Sequence, residues 1–174
     1  MSKRVTQLCL AAVFTALLAV GSWISVPFAV PFTLQTLVLY LALWLLSAPY
    51  ALCAVAAYLT LGAMGLPIFA GFQGGVSVLF GPLGGFLWGF LLMVVLCLIV
   101  RPRKTSARLI CLTTGTLLCY AAGTVWYAAF VAWTAEGIVT ALLTAVVPFI
   151  LPDALKLLTA WQLGKRLERH MPTP

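Results

Sequence analysis

What most limits this chain is where its charges are missing: no Asp, Glu, Lys, Arg or His occurs between Arg4 and Arg101. A soluble surface cannot be built from such a stretch, because ordinary soluble domains carry roughly 25% charged residues. Over all 174 residues the charged fraction is 7% and the hydrophobic fraction 64%. The chain therefore reads as a membrane protein of a single domain. Its first apolar stretch reads as a helix that stays, not a removable signal peptide, because equally apolar segments follow it.

A net charge of +7 raises nucleic acid as a partner, but the basic residues form no stripe with interleaved aromatics. They sit instead at the ends of apolar segments: Lys3 and Arg4, then Arg101, Arg103, Lys104 and Arg108, then Lys165, Arg166 and Arg169. Lys156 is the exception. A spanning helix needs about 20 apolar residues, and the chain divides on that scale into six segments, approximately 5–24, 33–46, 49–66, 84–100, 109–133 and 139–163. Pro27 and Pro31 end the first, and Pro148 and Pro152 interrupt the last. Basic residues stay on the cytoplasmic side, and six crossings put all three basic clusters there, with both termini cytoplasmic. Five or seven would strand one cluster outside. The halves show no repeat, which argues against an inverted-repeat transporter.

The expected fold is thus an all-α bundle of six transmembrane helices with an irregular Gly-rich loop between helices three and four. That loop, "GLPIFAGFQGGVSVLFGPLGG" from Gly65 to Gly85, is too rich in Gly and Pro for one helix. Irregular backbone is not tolerated against lipid, so it must line a cavity or cap the outer mouth. Tight helix packing is the plainer reading of its glycines. Gln73 is its one side-chain amide, able to donate and accept at once. No Gly-Lys-Ser or Gly-Lys-Thr follows, so it is not a nucleotide loop.

Asp153 and Lys156 stand inside "PFILPDALKLLTAW". A charge at the centre of a membrane helix costs about 2.5 to 3.5 kcal/mol, and spacing i, i+3 puts the two on one face where they partly neutralise each other. With Pro152 at a first helical position, Asp153 falls in the first turn, where the helix dipole favours an anion. Two readings follow: a self-paired ion pair that locks helix packing, or a polar floor for a ligand. Thr33, Gln35 and Thr36 in "PFTLQT" form a third polar group, suited to helix capping, to bonding between helices or to a ligand.

In the first helix Ala12 and Ala16, with Ala11, Thr15 and Ala19 on the neighbouring row, allow close approach of another helix, either inside the bundle or from a partner. Trp23, Trp126 and Trp133 near segment ends read as interface anchors. The five cysteines form no C-x-x-C pair and read as buried thiols. With His170 alone in the tail, neither a metal site nor a histidine-activated nucleophile is expected.

These motifs in order carry a resemblance. "PFTLQT", "GLPIFAGFQGG" followed by "GPLGGFLWGF", and "PFILPDALK" are similar to the BioY family, the biotin-specific substrate-binding (S) components of energy-coupling-factor vitamin transporters, over most of the chain. The resemblance implies a non-enzymatic uptake protein of the prokaryotic cytoplasmic membrane, holding biotin below the loop between helices three and four. It implies Asp153, Lys156, Gln73 and Gln35 as substrate-binding residues: Asp153 and Gln73 for the ureido N–H donors, Lys156 for an acceptor or the carboxylate. Phe69, Phe72 and Tyr120 would wall the bicycle. Ala12 and Ala16 would meet a membrane-embedded coupling subunit driven by two ATPases on separate chains, with the S component toppling in the bilayer. The chain itself would hold no cofactor; ATP would be hydrolysed by the partners. Two departures stand out. Leu151-Pro152-Asp153 replaces the family's Pro-Gly-Asp, exchanging a flexible residue for one fixed near φ of about −65°, and Leu83 replaces the threonine of Gly-Pro-Thr-Gly-Gly. The rivals are a solitary biotin carrier without the ATPases, a membrane enzyme using Asp153 and Lys156 as acid and base, and a structural subunit that binds nothing.

Overall fold

The computed structural model describes residues 2–26, 31–131 and 133–169; Pro27 and His170 lie outside them. Its helices are α1 (Lys3–Trp23), α2 (Gln35–Leu45), α3 (Ala48–Ala63), the single-turn α4 (Val76–Leu79), α5 (Gly84–Val100), α6 (Thr105–Val131), α7 (Ala135–Ala145) and α8 (Val147–Glu168). Between α1 and α2 two short strands, β1 (Ser25–Val26) and β2 (Phe32–Thr33), pair antiparallel with Ser25 opposite Thr33. A 3-10 turn, Ala70–Phe72, lies between α3 and α4. By length and composition, Lys3–Trp23, Thr105–Phe130 and the run Glu136–Glu168 can each cross a membrane; α2, α3 and α5 are shorter and also apolar.

Local chemistry explains where these elements begin and end. Pro49 occupies the first turn of α3, where its missing N–H costs nothing. The helix stops at Ala63, short of the expected Leu66, because Gly65 turns the chain at φ 99°. Arg101 closes α5 in the left-handed conformation and donates its N–H to Cys97 O, with Pro102 directly after it. The expected start of the fifth segment at Leu109 moves forward to Thr105, so Arg108 joins α6.

The last segment is interrupted just ahead of Pro148, as expected, but not at Pro152. It is two helices, broken at Val146 (φ −122°, ψ −56°). Pro148 has no N–H for the preceding turn and its ring crowds that turn's carbonyl, so the break falls just ahead of it. Pro152 lies inside α8 and not at its start. Asp153 therefore sits in the second turn, beyond the reach of the dipole argument, and its charge is met by side chains instead.

One apolar core runs through α1, α2, α3, α5, α6 and α8, centred on Leu18, Leu39, Tyr58 and Met93. The outside is just as apolar: Met64, Ile99 and Leu151 are each more than 70% exposed, while Gln7, Ser22, Gln35, Asp153 and Lys156 are buried. That inversion suits a hydrocarbon solvent. Along α5, Gly85 and Gly89 bring α6 to contact distance; a Cβ on Gly89 would lie 2.6 Å from Cys119 Sγ. At one end of the bundle Gln7 Oε1 accepts from the N–H of Ser47 (3.1 Å), and Glu168 pairs with Arg108 (2.9 Å) and accepts from Trp44 Nε1 (3.3 Å). The three basic clusters thereby gather at that end. The Gly-rich segment forms the other.

One aromatic contact at that far end is especially tight. Phe69 is buried with its ring over Gly62, where an added Cβ would lie 2.1 Å from Cζ. Gly62→Ala is expected to destabilise the detergent-purified protein by about 1–3 kcal/mol, the usual cost of overpacking. The melting midpoint followed with a thiol-reactive dye, which reports exposure of the buried Cys97, Cys111 and Cys119, should fall accordingly; an unchanged midpoint would contradict this packing.

Candidate functional site

Three helices each contribute a polar pair at helical spacing: Thr36 and Tyr40 from α2, Thr116 and Tyr120 from α6, Asp153 and Lys156 from α8. Asp153 and Lys156 are 4% and 6% exposed, so every bond they make is with protein. Lys156 Nζ donates to Asp153 Oδ1 at 2.7 Å and to Thr36 Oγ1 at 2.9 Å. Thr36 in turn donates to Asp153 Oδ1 at 2.9 Å, and the Tyr120 hydroxyl donates to Oδ2 at 2.6 Å. The ammonium also sits over the Phe32 ring, 4.1 Å from its centroid, a favourable cation–π position. Beside this cluster the Thr116 hydroxyl donates to Leu112 O, so Tyr40 is the donor in its 2.7 Å bond to Thr116. Both carboxylate oxygens and the ammonium are thus satisfied, as charges held away from water must be.

A second set of polar groups lines a cavity of about 800 Å³ at the end remote from the basic clusters. That volume is in the usual range for small-molecule sites. Its walls combine Phe69, Leu83, Phe86, Phe90 and Tyr127 with Thr33, Gln35, Gln73 and Ser77. Gln35 is fixed by a relay: Thr33 donates to its Oε1 (2.9 Å), its Nε2 donates to the Tyr58 hydroxyl, and Tyr58 donates to Ile68 O (3.0 Å). Ser22 and Trp23 of α1 tie the same loop down, donating to Ile68 O (2.6 Å) and Pro67 O (2.8 Å). Gly75 N–H bonds back to Gly62 O at 2.7 Å. Gly74 approaches Leu66 so closely that a Cβ would lie 2.3 Å from its carbonyl oxygen; only glycine fits there.

The candidate residues therefore fall in two groups. Gln35 and Gln73 line the cavity, Gln35 buried and Gln73 exposed at its mouth. Asp153 and Lys156 lie one side-chain layer away. Phe32, over Lys156, stacks on Phe149 (6.1 Å), and Leu83 and Phe86 of the cavity wall pack against the small cluster that Phe149 forms with Ala145. Of the three aromatic walls expected, Phe69 lines the cavity, Phe72 turns outward and stacks on Trp23 (5.3 Å), and Tyr120 is bonded to Asp153. Trp126, expected as an interface anchor, donates to Gly81 O at 2.9 Å and so holds the loop. Ala12 and Ala16 are exposed along α1, while Ala11 and Ala19 are buried and Thr15 donates to Ala54 O (3.1 Å). Leu83 caps α5 without a side-chain bond and lines the cavity with an apolar side chain. Tyr40, Tyr58 and Thr116 were not anticipated; the i, i+4 spacing of Thr36–Tyr40 and Thr116–Tyr120 marks a row of hydroxyls on α2 and α6 without saying what it faces, and Tyr58 of α3 carries no such signal.

Comparison with known proteins gives a consistent result. The model of the BioY family matches residues 1–173. The biotin transporter BioY of Thermotoga maritima is 40% identical over 166 residues, covering 94% of this chain and 96% of that protein. The biotin transporter BioY2 of Lactococcus lactis subsp. cremoris is 36% identical over 176 residues, covering 98% and 94%. Among solved structures, the S-component for biotin from an ECF-type ABC transporter superposes with a TM-score of 0.81 at 24% identity, covering 99% of this chain and 96% of that one; it shares the fold.

The closed bonding of the ion pair predicts asymmetry under mutation. Lys156→Met alone leaves a buried carboxylate without its cation and should cost about 3–5 kcal/mol, whereas adding Asp153→Leu in the same chain should restore much of the loss. Melting midpoints of the two single variants and the double variant test this; additive losses would contradict mutual neutralisation.

Proposed function

The chain belongs to the BioY family, and on that premise we propose that it binds biotin and takes it up across the cytoplasmic membrane as the substrate-specific component of an energy-coupling-factor transporter. Its relatives are transporters, not enzymes, and its own helices suit a membrane. The observation that carries the reading to this chain is similarity along nearly its whole length to biotin transporters, with a buried Asp-Lys pair beside a ligand-sized cavity.

The chemistry agrees group by group. Biotin offers two ureido N–H donors, one carbonyl acceptor, an apolar bicycle and a carboxylate. Asp153 and Gln73 are acceptors for the donors, Lys156 supplies a cation for an acceptor or the carboxylate, and Gln35 is a second amide on the cavity wall. Phe69, Phe86 and Phe90 give the bicycle an apolar bed. For the ligand to reach the pair, Phe32 swings off Lys156, and the ligand replaces the cation–π contact with a charged hydrogen bond. A site built this way rejects analogues that lack those groups, because they leave buried polar atoms unpaired.

The bilayer is crossed six times, with the basic end of the bundle and both termini in the cytoplasm. The exposed Ala12 and Ala16 of α1 face the coupling subunit, and ATP is hydrolysed by two further subunits. Small residues there let a partner helix approach closely.

Isothermal titration of the detergent-purified chain with biotin tests the reading. Saturable binding is expected, weakened roughly 10- to 100-fold by Asp153→Asn and a few-fold by Gln73→Ala, the range of a charged and a neutral hydrogen bond. No binding to folded wild-type protein would sink the assignment.

A further inference from the structure

At the basic end, away from the biotin reading, a second cavity of about 560 Å³ lies between the α2–α3 turn and the α5–α6 connection. Its composition is divided. Leu43, Leu46 and Leu98 form apolar walls, and Arg101, Arg103 and Arg108 supply three cations. The chain has only three acids, and none is available to two of these arginines: Asp153 is bound to Lys156, Glu168 to Arg108, and Glu136 stands in the first turn of α7, beyond the far end of α6. Among the described residues, Arg101 and Arg103 have no carboxylate within ion-pair distance. Arg101 donates through Nε to Leu98 O at 3.2 Å. That bond folds the side chain against the end of α5, and among the described residues its two terminal nitrogens make no bond to a protein acceptor. Next to it in α5, Ile99 and Val100 are 74% and 52% exposed, so the helix end that lines the cavity also presents apolar surface.

Setting the topology of a membrane protein requires only that arginines lie on the correct side. It does not require a cavity with apolar walls between them. We propose that this cavity is a binding site for an anionic phospholipid, with the phosphodiester on Arg101 and Arg103 and an acyl chain along the apolar walls. Arginine suits the phosphate because its planar fork offers paired donors, and basic pockets between membrane helices are known to take acidic headgroups. A soluble anion would match the arginines but leave the apolar walls without a partner. The proposal rests on the chain lying in a membrane and is independent of biotin.

The test is binding of dioleoylphosphatidylglycerol and of dioleoylphosphatidylcholine to the full chain in detergent, followed by native mass spectrometry and by the thermal midpoint. Wild-type protein should retain the anionic lipid in preference to the zwitterionic one, and raised salt should weaken that preference. R101A/R103A should lose about 30-fold in affinity, about fivefold for each arginine as expected for about 1 kcal/mol per basic residue near a lipid surface. R101K/R103K, which keeps the charge but not the paired fork, should lose part of the affinity and keep the preference for the anionic lipid. R101Q/R103Q, which removes the charge but keeps a long polar side chain, should lose about as much as R101A/R103A and serves if the alanine variant does not fold, and an unchanged lipid-free midpoint shows that a variant is intact. Equal retention of the two lipids would overturn the proposal, as would full retention by R101A/R103A. Competition by inorganic phosphate alone at equal concentration would mark a free-anion site and also overturn it. Loss of coupling-subunit association in R101A/R103A with lipid binding unchanged would make this face a protein interface instead.

Discussion

The structure depends on one constraint: the charges of Asp153 and Lys156 have to be neutralised without water. Each is buried, and the two are held 2.7 Å apart. Removing either leaves the other in a medium that cannot solvate it, at a cost of several kcal/mol. That requirement fixes the arrangement of three helices. α2 supplies Thr36 between the two charges, α6 supplies Tyr120 to the remaining carboxylate oxygen, and α8 carries the pair itself. A rotation of any of these helices by one residue would break the set.

The same accounting separates the two ends of the molecule. At one end the chain uses charge: the basic clusters gather there, and Glu168 joins α8 to α6 and α2. At the other it uses backbone. Glycines without room for a Cβ and tryptophan N–H groups aimed at loop carbonyls hold an irregular segment in place without a single ion pair among the described residues. Such a segment can line a cavity because its own polar groups are already satisfied. Between the two ends, Phe32 and Phe149 form the apolar layer that separates the cavity from the ion pair. In the proposed function a ligand with the right acceptor displaces that cation–π contact and replaces it with a charged hydrogen bond.

Much of this was legible in the residues. The uncharged span from Arg4 to Arg101 dictated a membrane protein, and the spacing of Asp153 and Lys156 put both on one face. Ala12 and Ala16 stood out by size, and the structure leaves them exposed. What the residues did not give was the handling of prolines. Pro152 looked like a helix start, yet α8 begins five residues earlier, because a proline within the second turn forgoes only one backbone bond while Pro148 already occupies the first turn. The hydroxyls of Tyr40, Tyr58 and Thr116 were also hidden. Each lies in an apolar helix and gains meaning only from its partner on another helix, and no local pattern records which helices adjoin. The same holds for Phe72, whose exposure follows from its positive φ of 57° and its stack on Trp23.

The claim on which the account turns is that the Asp153–Lys156 pair opens to its ligand. The most direct measurement is a structure of the purified chain with biotin bound. The account predicts Phe32 displaced from Lys156, and a biotin nitrogen or oxygen within about 3.2 Å of the Asp153 carboxylate or the Lys156 ammonium. Biotin lying in the cavity with Phe32 still over Lys156, and the pair bonded only to Thr36 and Tyr120, would contradict it and leave the pair as a lock on helix packing.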